Sequence, residues 1–149
     1  MYNYFKIRRF IKVQKTWYNT AHRELLSGKK ESHWMWFILP QHKELGKSWR
    51  SKFYGIRNKT EVASYLGQPL LHDRYLECVG LIMRIDKNDL SRTFSSLDCL
   101  KLQSSLTLFH LESGDSIEVK HLTALALTKH YGGEYCKTTQ ALLPTDSQT

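Results

Sequence analysis

The sequence predicts an all-α fold: a single compact multi-helix domain around a buried tryptophan-rich segment. Three observations predict it. Apolar residues recur every three or four positions over several stretches longer than ten residues. Serine, asparagine and glycine stand where those stretches begin and end. No alternating apolar runs are joined by a hairpin dipeptide such as Asn-Gly. The organising stretch is Ser32 to Gln41, S-H-W-M-W-F-I-L-P-Q. It has no polar face and each aromatic ring can bury roughly 150–250 Å², so it belongs inside.

Phe5 to Ser27 reads as an amphipathic helix. Phe10, Val13, Trp17 and Ala21 share one face, widened by Ile7, Tyr18 and Leu25, while Arg8, Lys12, Lys15 and Asn19 line the opposite face. Gly28 can end it in a left-handed conformation. Ser32 is a candidate N-cap for one or two turns of buried helix, which Pro40 stops; periodicity alone does not separate so short an apolar run from a buried strand. Lys43 to Gly55 is mixed. Asn58 and Glu61 form a capping-box-like pattern before a short helix to Leu66. Pro69 suits the start of the next helix, which runs to Ile85 and is apolar around most of its circumference. Asp89 and Ser95 are candidate caps, the second for a helix from about Leu97 to Leu111. That helix shows two apolar arcs, one with Leu102, Leu106 and Phe109 and one with Leu97, Leu100, Leu108 and Leu111, so burial on two sides is expected. Ile117 to Tyr131 is the last long helix and Gly132-Gly133 ends it. Thr138 can cap a final turn through Leu143. The domain is read as residues 1–143, with residues 144–149 as a polar tail.

With 149 residues, 41% hydrophobic and 24% charged, the chain has the composition of a globular domain. Its net charge of +8 favours an anionic partner, either a small anionic ligand or nucleic acid. The three cysteines form no disulfide framework. The N-terminus mixes Lys6, Arg8, Arg9 and Lys12 with apolar residues, unlike a signal peptide. The longest apolar run is far shorter than the roughly 20 residues a bilayer requires, so no membrane partner and a cytoplasmic location are expected.

No glycine-rich phosphate loop, H-E-x-x-H pair, metal-ligand spacing or G-x-S-x-G elbow is present. What remains is a loose constellation. Ser32, Trp34, Trp36, Gln41, Arg74, Lys101, Ser104, Ser105 and Thr107 are candidate ligand-binding residues, and His33 is the candidate acid–base residue. Tryptophans can stack on a ring, Arg74 and Lys101 can meet an anion, and the hydroxyls can donate hydrogen bonds. Each also has an ordinary structural alternative: core for the tryptophans, back-bonding for the helical hydroxyls, a solvated surface for Lys101.

The run Ser32 to Gln41 closely resembles the signature of the domain-of-unknown-function 1810 family. Three other blocks are similar to it as well: Ala63 to Cys78, Leu100 to Phe109 (K-L-Q-S-S-L-T-L-F after Leu100), and Tyr131-Gly132-Gly133. The resemblance implies a compact, mainly helical domain and no particular activity. Glu44, Gln103 and Cys136-Lys137 depart from the family's usual residues.

The leading expectation is a pocket for a small anionic ligand, a nucleotide or NAD-derived metabolite, with group transfer or hydrolysis if it is an enzyme. The alternatives are nucleic-acid binding through the basic face of the first helix and a protein-interaction module without catalysis.

Overall fold

The structure, a computed structural model, describes residues 4–144. Of the expected polar tail only Pro144 falls within it; residues 145–149 and the first three residues lie outside the described residues. The described chain is all-α, in the order α1 (Tyr4–Ser27), α2 (Met35–Ile38), α3 (Trp49–Tyr54), α4 (Lys59–Leu66), α5 (Pro69–Met83), α6 (Leu90–Thr93), α7 (Ser96–Leu111), α8 (Ile117–Tyr131) and α9 (Lys137–Leu142). Two 3₁₀ turns, Lys43–Leu45 and Lys87–Asp89, precede α3 and α6.

The boundaries follow from local chemistry. α1 ends at left-handed Gly28, φ +78°. Asn58 Oδ1 accepts from Glu61 N–H at 3.0 Å and Ser95 Oγ accepts from Asp98 N–H at 3.1 Å, satisfying donors that a helix start leaves orphaned. α7 packs most extensively on α8, α8 also on α5, and α5 on α1; α2 and α4 lie against α1, and α9 against α7. Trp34, Met35, Phe37, Ile38 and Leu39 are buried at the centre of one continuous core. Phe109 stacks on Tyr75 at 4.1 Å and meets Tyr65 edge-on at 5.4 Å, which locks α7 to α5 and α4.

Four sequence expectations change. Trp17 is 37% exposed, while Gln14 and Glu24 are buried on α1 in its place. A hydrophobic wheel assigns polar residues outward, but Gln14 Nε2 donates to the Phe37 carbonyl at 2.8 Å and to Tyr65 Oη at 3.1 Å. Buried polar groups persist when so paired. Ser32 does not cap α2; Trp34 holds the N-cap position without a side-chain bond, and Ser32 turns to Glu24. The final helix is capped at Cys136, not at Thr138. Finally, α7 is not buried on two sides along its whole length: Leu97 and Leu100 are 60% and 62% exposed. Among the described residues the N-terminal half of that arc is left largely uncovered, and the space beside it is the candidate site.

Candidate functional site

A cavity of about 370 Å³ opens between the α2–α3 segment, the first half of α7 and the start of α9. α7 presents Leu97, Leu100, Lys101 and Ser104 to it, spaced i, i+3, i+4 and i+7 on one face. Trp36 of α2 forms an aromatic wall, and Gln41, His42 and Gly55 belong to the facing segment. Lys101 Nζ lies 4.8 Å from the Trp36 ring centroid, and the Arg50 guanidinium lies 5.8 Å from the same ring. Both are within the distance at which a ring quadrupole attracts a cation. No aspartate or glutamate lines the cavity among the described residues. Asp98 stands just behind Lys101 at 3.9 Å, but its other oxygen holds the nearly buried Lys30 at 2.9 Å. The site therefore carries net positive character beside an indole.

The backbone facing α7 is pinned from two sides. Lys43 N–H donates to the Ile56 carbonyl and Ile56 N–H donates to the Gln41 carbonyl, each at 2.8 Å, forming a parallel bridge of His42 with Ile56. The two segments pass so closely that a Cβ on Gly55 would come 2.4 Å from Lys43 Cα, so only glycine fits. Arg9 of α1 donates to the Phe53 and Gly55 carbonyls at 2.7 and 3.1 Å, and buried Glu61 holds Arg9 at 2.9 Å.

Of the sequence candidates, the cavity gathers Trp36, Gln41, Lys101 and Ser104. Ser104 Oγ is bonded to Thr139 Oγ1 at 2.8 Å, so its lone pairs and proton are partly committed. The others lie elsewhere. Ser32 and Trp34 clasp Glu24: its carboxylate accepts from Ser32 Oγ at 2.6 Å, and from Ser32 N–H, Glu31 N–H and Trp34 Nε1 at 2.9 Å each. Burial alone would raise the Glu24 pKa; the Ser32, Trp34 and Glu31 donors outweigh it and hold it at about 2. His33 is exposed between these two residues and does not line the cavity. Arg74 lies over the Tyr18 ring at 4.6 Å and donates to Gln14 Oε1 at 3.4 Å. Ser105 Oγ meets Tyr75 Oη at 3.1 Å. Thr107 Oγ1 donates to the Gln103 carbonyl and accepts from Cys136 N–H, both at 2.8 Å, which fastens the α9 entry to α7. Sequence reasoning missed His42, Arg9, Glu24 and Glu61. The one signal available was that the run Trp34 to Leu39 has a histidine near each end, His33 and His42.

The family model described as "Protein of unknown function (DUF1810)" matches residues 4–143. The chain belongs to the DUF1810 family. This DUF1810 chain is also similar to the crystal structure of the conserved hypothetical protein Rv1873 from Mycobacterium tuberculosis, with 36% identity and a TM-score of 0.87 over 95% of this chain and 98% of that one. Comparison of the DUF1810 chain with curated proteins gives no match. No helix among its described residues is long and apolar enough to cross a membrane.

Proposed function

We propose that the cavity beside α7 binds a small anionic ligand with a planar ring, a nucleotide or NAD-derived metabolite. The observation that carries this reading is Lys101 Nζ at 4.8 Å from the Trp36 ring inside a concavity free of carboxylates. Lys101 sits over the Trp36 ring, so it swings off that face to meet the ligand's anion and leaves Trp36 to the ligand's ring. Gln41 and Ser104 supply orienting hydrogen bonds. Isothermal titration against AMP, ADP, NAD, nicotinamide mononucleotide and ADP-ribose tests it. At least one should bind, and Lys101→Ala and Trp36→Ala should each weaken that binding by about tenfold or more. Silence across the panel with a folded sample removes the proposal.

A second reading has its own observation. Lys12, Lys15 and Arg23 are exposed along one side of α1. Nucleic acid bound there would lose affinity steeply with salt, roughly 0.9 in the log–log slope for each phosphate contact. Binding that ignores salt, or that survives charge reversal at Lys12 and Lys15, excludes it.

A further inference from the structure

His42 stands out among the cavity's polar residues. It is 8% exposed, yet it lines the cavity. Its Nδ1 accepts a hydrogen bond from the Glu44 backbone N–H at 3.1 Å. A neutral imidazole with Nδ1 occupied as an acceptor carries its proton on Nε2. Among the described residues Nε2–H finds no acceptor within the protein, and it is not one of the sealed, partnerless atoms of the interior. His42 lines the cavity, and the cavity is the open space through which Nε2–H can meet a ligand. Burial lowers the His42 pKa against the opposing pull of Glu44, which keeps the ring in this neutral form at pH 7.

The backbone that carries the ring is also pinned. The two 2.8 Å backbone bonds to Ile56 flank His42 on either side, and Arg9 anchors the opposite segment. A donor fixed before the ligand arrives costs little ordering on binding.

We infer that His42 is the reading residue of this site: its Nε2–H donates to a carbonyl oxygen or unprotonated ring nitrogen of the ligand, and the ligand is a nucleoside monophosphate. The inference rests on the nucleotide reading above and narrows it. The cavity volume, about 370 Å³, lies near the lower end of the roughly 300–1,000 Å³ of small-molecule pockets, which suits one nucleotide and not a dinucleotide. Among the described residues Lys101 is the one lysine or arginine in the lining, with Arg50 outside it over Trp36, which suits one phosphate and not a polyphosphate chain. Three contacts define the ligand: an acceptor on the ring edge for His42, the ring face for Trp36 and a single phosphate for Lys101.

The test uses the intact chain with AMP, GMP and UMP as probes and NAD as the comparison. Side-chain ¹H–¹⁵N correlation spectra of the ligand-free protein should show His42 protonated at Nε2, and the bound monophosphate should shift that resonance. His42→Phe keeps a ring and loses the N–H, so it should weaken binding by about tenfold or more. His42→Gln returns an N–H near the Nε2 position and should stay within about threefold of the parent. An Nδ1–H tautomer, or monophosphate binding indifferent to His42→Phe, overturns the role of His42 and leaves the nucleotide site standing. NAD binding more tightly than every monophosphate overturns the mononucleotide assignment alone. Silence of the parent protein towards all probes overturns both the site and this inference. The tautomer measurement needs no variant, so it decides the point even if His42→Phe does not fold.

Discussion

Glu24→Gln tests whether Ser32 and Trp34, the start of the chain's most distinctive run, are structural. In the folded protein the Glu24 carboxylate accepts four hydrogen bonds, three of them from Ser32 and Trp34. The gap between its ordinary pKa of 4.5 and the folded value of about 2 corresponds to about 3 kcal/mol of preference for the charged form. Solvent reaching the half-buried Ser32 side screens part of this, so about 2 kcal/mol is the expected loss, within the range for hydrogen bonds to a charged group. An amide at this position also turns an N–H towards donors. The folded pKa is the lower one, so the stabilisation is fully present above about pH 4.5 and is lost as pH falls towards 2. Urea unfolding followed by tryptophan fluorescence reads it. With a slope of about 2 kcal/mol per molar, the midpoint at pH 7 should drop by about 1 M. The difference between parent and variant should shrink to less than half by pH 3. A variant within about 0.5 kcal/mol of the parent at pH 7, or a difference unchanged between pH 7 and pH 3, refutes the clasp.

Gly55→Ala should cost about 1–3 kcal/mol by urea unfolding, because its Cβ would overlap Lys43 Cα at 2.4 Å. The same change should strip hydrogen-exchange protection from the Ile56 amide, which bonds the Gln41 carbonyl. Phe109→Ala should cost about 3–5 kcal/mol, since it empties a fully buried site between Tyr65 and Tyr75. Burial pushes the Cys78 thiol up to about 12, so a disulfide reagent at pH 8 should leave Cys78 untouched in the native state while labelling the partly exposed Cys136, as read by mass spectrometry of the labelled peptides.

Much of the fold was legible because its causes are local. Caps at Asn58 and Ser95, the stop at Gly28 and the start at Pro69 act over three or four residues, and each works as its neighbours require. The burial of Trp34, Met35 and Phe37 to Leu39 needed only the run's own composition, whereas Trp36 is half-buried at the cavity. The site was half legible. Lys101 and Ser104 share the face of α7 that also exposes Leu97 and Leu100, and an apolar arc with polar residues set in it marks either a helix contact or a cavity. Periodicity cannot distinguish the two, because both leave the same stripe on the wheel. Arg74, Ser105 and Thr107 carry the same chemistry in sequence, yet their partners Gln14, Tyr75 and Cys136 come from other parts of the chain.

The two histidines state the division most clearly. Residue order alone established helices, most of their ends and an apolar centre, since backbone propensity, capping and hydrophobic period are short-range effects. It marked His33 as the acid–base candidate and gave His42 no role. The place of His42 at the cavity belongs to its bridge with Ile56, fourteen positions further along the chain and admitted by a glycine at position 55. Long-range backbone pairing turned one imidazole into the cavity and left the other in solvent, and no local rule carries that information.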